Sequence, residues 1–241
     1  VKKPTTEIYS DARILFYDIE STGLQADFGT LLAVGYKWAG DKYVYIPAIT
    51  DYPTFDADPT DDKRLVADFI EVMKTADMVV TYNGKRFDQP YLYAKCLEHK
   101  IEIPPNIPHV DLYQTVRHNM KISRKSLQNV GYHLSLSAEK TPVEGRIWKR
   151  ASAGHRPSIK YIVDHCAADV ELLEEAYHRL KPLVRQHPRV GLLAACRYCG
   201  SHNLQRRGRY LAVVAGPKVR IRCSDCGGWE SRPANRVGFA K

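Results

Sequence analysis

The chain has no run of apolar residues near the roughly 20 that a membrane-spanning helix needs. Its longest are strand-length stretches such as Ile14–Tyr17 and Tyr210–Ala215, so no membrane partner is expected. It also lacks an apolar segment behind its first charges, Lys2 and Lys3, which argues against an export signal and for a cytoplasmic location. Internal repeats and low-complexity segments are missing as well, and 44% hydrophobic residues make the composition that of a globular protein. Acidic charge is scarce in one place only. Of the net +9, residues 191–241 supply +8, because ten Lys and Arg there face only Asp225 and Glu230. A basic C-terminal segment on a nearly neutral remainder invites a polyanionic partner, nucleic acid foremost.

The six cysteines are also unevenly spread. Cys96 and Cys166 stand alone and read as small buried hydrophobes. Cys196, Cys199, Cys223 and Cys226 form two C-x-x-C pairs separated by 23 residues. Without an export signal, that spacing reads as metal ligation ahead of disulfide bonding. Each C-x-x-C turn presents two thiolates to one side, and Gly200 and Gly227 relax the backbone just after the second. Four thiolates close a tetrahedral site, so one structural Zn²⁺ is expected. Strand-like Arg209–Ala215 and Lys218–Cys223, joined at Gly216-Pro217, make residues 191–241 resemble a zinc ribbon. Bound zinc would lower its charge to about +6. Arg206, Arg207, Arg209 and Tyr210 are its candidate nucleic-acid contacts, and docking onto a replication or repair protein is the other use such a module fits.

Residues 1–190 read as a mixed α/β domain. Strand patterns cover Arg13–Glu20, Thr30–Trp38 and Lys42–Pro47, the last two joined by a tight Gly40-Asp41 turn that implies an antiparallel hairpin. The acidic, proline-containing stretch 51–62 reads as a solvated loop whose end caps a helix. Apolar residues at helical spacing predict a helix over Lys63–Ala76. A short buried-type strand follows at Met78–Tyr82, then helices near Pro90–His99 and Ser126–His133. A long helix runs from Ser158 to about Val184, interrupted near Pro182. The expected architecture is a mixed sheet flanked by helices, with a small β appendage.

Asp18-Ile19-Glu20 ends the first strand. Residues i and i+2 of a strand share a face, so the two carboxylates converge, which is unfavourable unless a hard cation such as Mg²⁺ or Mn²⁺ neutralises them. The second D-x-E, Asp169-Val170-Glu171, falls on a helix, where i and i+2 diverge by about 200°. It cannot make the same pair. Asp88 follows Asn83-Gly84-Lys85-Arg86-Phe87 and opens a helix, so a metal ligand and a plain helix cap are both open for it. His165 and Asp169 lie one turn apart on one helix face. They read as a ligand-plus-base pair or as a histidine satisfied in the core or at the surface. Cys166, Ala167 and Ala168 would let that helix approach the strands closely. Asp111 and Asp164 are kept out of the site, the first as a common helix opening and the second as pointing about 100° away from His165. Arg146, Trp148 and Lys149 mix cations with a ring and fit either a nucleic-acid track or a solvated loop.

In this order, a strand-end D-x-E, a strand followed by N-x-x-x-F-D, and a closing helix with Asp169, residues 11–185 resemble the DEDD exonuclease superfamily. Within it they are most similar to the proofreading domains of family-B DNA polymerases and their stand-alone bacterial and phage relatives. The third motif of that branch is Tyr-x-x-x-Asp, and here His165 stands at the tyrosine position. The other branch uses His-x-x-x-x-Asp, which would place His at 164, where this chain has Asp164. The resemblance implies a ribonuclease-H-like fold and two Mg²⁺ or Mn²⁺ ions held by Asp18, Glu20, Asp88 and Asp169. It further implies a water oriented or deprotonated by His165, Asn83 beside the nucleic acid, and 3′–5′ hydrolysis of single-stranded DNA ends. A ribonuclease or endonuclease on the same fold, or a non-catalytic nucleic-acid-binding adaptor, are the alternatives.

Overall fold

The structure is a computed structural model that describes residues 12–137, 143–184, 187–188, 195–198, 201–212 and 216–233. It has two compact units, Arg13–Leu180 and one that includes the chain from Lys181 onward. The expected domain boundary, residue 190, falls after this division.

The first unit is built on a four-stranded sheet of order β2-β1-β3-β4. β1 (Ile14–Ser21) and β2 (Leu31–Trp38) are antiparallel, while β3 (Met78–Thr81) and β4 (His109–Asp111) add in parallel. A parallel neighbour requires a crossover. The chain makes one through α1 (Lys63–Lys74) between β2 and β3, and another through α2 (Asp88–His99) between β3 and β4. α1 buries Leu65, Val66, Phe69, Ile70 and Met73, the stripe its spacing predicts. Ile14–Tyr17 and Met78–Val80 are buried without alternation, as expected for central strands covered on both faces.

Among the described residues four helices follow: α3 (Leu112–Asn119), α4 (Leu127–Leu134), α5 (Gly145–Ser152) and α6 (Arg156–Leu180). α6 packs along β1 and β2. Gly35 of β2 marks the close approach, since a Cβ there would stand 2.7 Å from Cys166 Sγ and 2.9 Å from Val170 Cγ2. Past Leu180 the chain tightens into a 3₁₀ turn, Lys181–Leu183, at Pro182.

Several expectations need correction. Lys42–Pro47 is not a continuous strand: it meets β2 through an isolated antiparallel bridge, Tyr36 with Tyr45, and through the Pro47 carbonyl, which accepts Val34 N–H at 3.0 Å. Pro47 has no N–H to continue the ladder. The acidic stretch is not simply solvated, because Asp62 is fully buried. Its carboxylate accepts from Leu31 N–H at 2.7 Å and pairs with His99 at 2.6 Å and Lys95 at 3.3 Å, and it makes no side-chain cap. β4 and α5 also went unforeseen; Arg146, Trp148 and Lys149 lie on α5 and not on a loop.

The second unit holds an antiparallel sheet of β5 (Leu204–Ala212), β6 (Gly216–Cys223) and β7 (Trp229–Pro233). β5 starts earlier than expected, Gly216-Pro217 opens β6 instead of forming the turn, and β7 is additional. Val219, Ile221 and Cys223 form its buried side. Among the described residues no helix is long and apolar enough to cross a membrane.

Candidate active site

β1 and α6 bring four of the predicted groups together. Ligand atoms of Glu20, His165 and Asp169 all lie within 4.8 Å of one another, and those of Asp18, Glu20 and Cys166 do likewise. His165 Nε2 is 3.7 Å from Asp169 Oδ2, one helical turn away. Glu20, His165 and Asp169 are each exposed by less than a tenth. Carboxylates crowded this closely, at low exposure, raise one another's energy unless positive charge enters. Their oxygen-rich donor set is compatible with a hard divalent cation. Glu171, by contrast, points to solvent, and Asp164 is exposed and pairs with Lys160 at 2.9 Å.

Cys166 enters this cluster as packing. Burial pushes its thiol well above the usual range, with Asp18, Glu20 and Asp169 adding to the effect. Hard divalent cations prefer oxygen donors to sulfur, and its Sγ lies 3.8 Å from the Asp18 carbonyl oxygen.

Asp88 meets the backbone of β1. It begins α2, but its carboxylate does not cap that helix; Oδ1 accepts the N–H of Ile19, at 3.1 Å, between Asp18 and Glu20. Burial raises its carboxyl to about 7, opposed by backbone hydrogen bonds and reinforced by Asp111. Asp111 organises the neighbouring turn. Its carboxylate accepts from Tyr113 N–H at 3.0 Å, capping α3, and from Asn83 and Lys85 N–H at 2.9 and 3.2 Å. Asn83 is held at φ +68°, an unusual conformation for a residue with a side chain. Gly84 is required next to it, because a Cβ would fall 2.3 Å from Thr81 Oγ1.

An open cleft of about 520 Å³ borders the cluster, lined by Asp18 and Asp169 with Tyr82, Asn83, Arg86, Tyr113, Lys125, Ser126 and Leu127. Tyr82 and Tyr113 meet edge to face at 5.9 Å, and the Tyr82 hydroxyl donates to the Lys125 carbonyl. Sequence reasoning missed Tyr82, Arg86, Tyr113 and Lys125. Arg86 alone carried a signal, its place inside the Asn83–Asp88 turn; the rest come from separate segments that only folding joins. Arg146, Trp148 and Lys149 do not line this cleft. Arg146 pairs with Glu144 at 2.7 Å, Trp148 packs half-buried against the core, and Lys149 is exposed.

In the second unit Cys196, Cys223 and Cys226 bring their sulfurs within 4.8 Å of one another. Tyr198 N–H and Gly228 N–H each reach a sulfur at 3.4 Å, of Cys196 and Cys226, and Gly227 takes φ +72° after the second pair. Cys199 lies outside the described residues, as do the side chains of Arg209 and Tyr210. Arg206 and Arg207 are exposed on β5, Arg207 bonded to Gln205.

Comparison with known proteins gives a consistent picture. A curated DNA polymerase of Methanocaldococcus jannaschii is 30% identical over a stretch covering 30% of this chain and 6% of the polymerase. The structure of the family B DNA polymerase from the hyperthermophilic archaeon Pyrobaculum calidifontis matches with a TM-score of 0.55 at 19% identity, covering 73% of this chain and 26% of that one. At that identity the likeness is one of fold, and the chain spans a small part of either polymerase. The family model of the RNase H superfamily, RNase_H_2, matches residues 15–181, which takes in the elements from β1 to α6, and the chain belongs to that superfamily.

Proposed function

We propose that the first unit is a divalent-metal-dependent 3′–5′ exonuclease acting on single-stranded DNA ends. The observation that carries the reading is the convergence of Glu20, His165 and Asp169 within 4.8 Å, from elements far apart in the chain, beside an open cleft that Asp18 also lines. Membership of the RNase H superfamily and the likeness to DNA polymerases support it. Asp18, Glu20, Asp88 and Asp169 would hold two Mg²⁺ or Mn²⁺ ions. Bound there, the ions supply positive charge for the attacking water and the departing 3′ oxygen.

The chain's own groups do the rest. His165 aims the water or takes its proton at Nε2 or Nδ1, and a nearby dication favours the neutral imidazole this role requires. Asp88 fixes Ile19 and so holds the strand segment between two ligating carboxylates. Arg86 and Lys125 offer cations to the phosphodiester backbone, while Tyr82 and Tyr113 offer ring surface to a terminal base. Asn83 stands beside them on the cleft wall. In the second unit Cys196, Cys199, Cys223 and Cys226 would hold one structural Zn²⁺.

The test is Mg²⁺-dependent digestion of 5′-labelled linear DNA and RNA beside circular single strands. A ladder from linear DNA with circles untouched is the expected result. Cut circles would make the protein an endonuclease, preference for RNA a ribonuclease, and binding without cleavage an adaptor.

A further inference from the structure

β6 has two unlike sides. Val219, Ile221 and Cys223 are buried, and the alternate residues Lys218, Arg220 and Arg222 face the other way. Residues directly opposite in an antiparallel ladder share a face. Arg222 lies opposite Trp229 of β7, and Arg220 opposite Ser231. The open face of this sheet therefore carries three cations and a tryptophan. Arg206 pairs instead with Ile221, whose side chain is buried, so Arg206 lies on the other face.

The tryptophan is exposed by 52%, although it sits on a short strand beside a small core. The Arg222 guanidinium lies 6.0 Å from its ring centroid. Next to it, Tyr198 donates its hydroxyl to the Trp229 carbonyl at 3.1 Å. The tyrosine ring presses so closely on Gly228 that a Cβ there would come within 2.5 Å of it. Between Arg197, Tyr198, Arg220, Trp229 and Ser231 opens a cleft of about 510 Å³. Glu230 also borders the cleft, but its carboxylate is bonded to Arg232 at 2.5 Å. Cations beside an exposed ring match a flexible polyanion whose bases are free to stack. A duplex keeps its bases stacked inside and would leave the ring without a partner.

We propose that the open face of β6 and β7, centred on Trp229, Arg220 and Arg222, binds single-stranded nucleic acid, with a base against the Trp229 ring and phosphates on the two arginines. The inference deepens the reading of the chain as a nucleic-acid enzyme. Its test reads binding and not turnover, so a chain that binds without cutting defeats that reading while leaving this one standing.

The full chain, without added Mg²⁺ or Mn²⁺, is titrated into a fluorescent oligo-dT of about 15 nucleotides, a length suited to small single-strand sites, at several salt concentrations. Arg220→Gln with Arg222→Gln is expected to weaken binding about tenfold and to flatten the salt slope by about 1.4, from two lost single-strand phosphate contacts. Trp229→Ala is expected to weaken binding about tenfold with the slope unchanged, as loss of one stacked base would. Lys63→Gln with Arg64→Gln removes the same charge from α1 and is expected to leave affinity unaltered. Zinc content and melting midpoint monitor the fold of each variant. An unmodified chain photo-crosslinked to an iododeoxyuridine oligonucleotide is expected to carry the label within residues 216–233. Wild-type affinity in both face variants, or no label within residues 216–233, overturns the proposal. So does duplex binding as tight as single-strand binding with Trp229→Ala silent, which would leave a bare phosphate patch.

Discussion

Asp18 and Gly35 show how single positions serve the site in different ways. Asp18 borders the cleft, and the nuclease reading expects Asp18→Ala to lower hydrolysis about 10³-fold or more, equivalent to about 4 kcal/mol of barrier. Single-turnover digestion measures this, and an unchanged melting midpoint shows that the fold survives; full activity would remove Asp18 from the machinery. Gly35 touches no substrate. A Cβ there would stand 2.7 Å from Cys166 Sγ, so Gly35→Ala is expected to destabilise the protein by about 1–3 kcal/mol as overpacking does. Because Cys166 lies between His165 and Asp169 on α6, activity should fall with it. Adding Cys166→Ala opens space and should restore part of both, as urea denaturation and kinetics of the double variant would show. The pairing of Asp18 with Glu20, and the splaying of Asp169 from Glu171, follow from local periodicity and are legible in the chain. Whether Asp88 caps a helix or braces Ile19 is not, because the competing partner lies 69 residues away.

Among the elements, the long amphipathic helices and buried strands were the most readable, since each carries enough residues to display its period. β4 is three residues long and has no period to display; it exists because β3 offers a free edge. Asp111, at its end, connects that strand to the site by accepting three backbone N–H groups. Asp111→Ala is expected to cost about 2–4 kcal/mol, about 1 for the lost cap and the rest for the two stranded donors. Urea denaturation would measure it. The Asn83 turn should loosen too, read as weaker binding of a short oligonucleotide to the cleft. At the far end of β2, Glu174 of α6 pairs with Lys37 at 2.6 Å and accepts Gly40 N–H at 3.2 Å. Burial alone would raise its carboxyl, but bonds from His178, Lys37 and Gly40 outweigh that and hold it below the usual value of 4.5. A carboxylate held lower when folded contributes stability above its unfolded pKa and loses it as pH falls through the folded one. Glu174→Gln should therefore be less stable than the wild type at pH 7, and the gap should close toward pH 3. A gap that persists at pH 3 would mean the contact acts through packing and not charge.

As a whole, the molecule divides into an RNase-H-like unit and a small sheet near a cysteine cluster. Small sheets with few buried residues depend on a metal or a disulfide for stability. If zinc holds the second unit, stripping it with a chelator should melt that unit alone. Limited proteolysis should then cut within 195–233 and spare 13–180, and re-addition of zinc should restore resistance. Uniform loss of both units, or no change, would contradict a structural zinc confined to the second. The division into a near-neutral part and a basic, cysteine-bearing part was set by the sequence alone, because charge and C-x-x-C spacing are counted without knowing any contact. So were the amphipathic periods and the facing pair Asp18 and Glu20, which arise within one element. Only the tertiary structure settled what stands opposite what: Asp62 buried against Leu31, Asp88 on Ile19, Tyr82 and Tyr113 on the cleft wall. Such pairings join segments whose separation along the chain carries no local pattern, and the energy that selects them is released only when the sheet and its helices close.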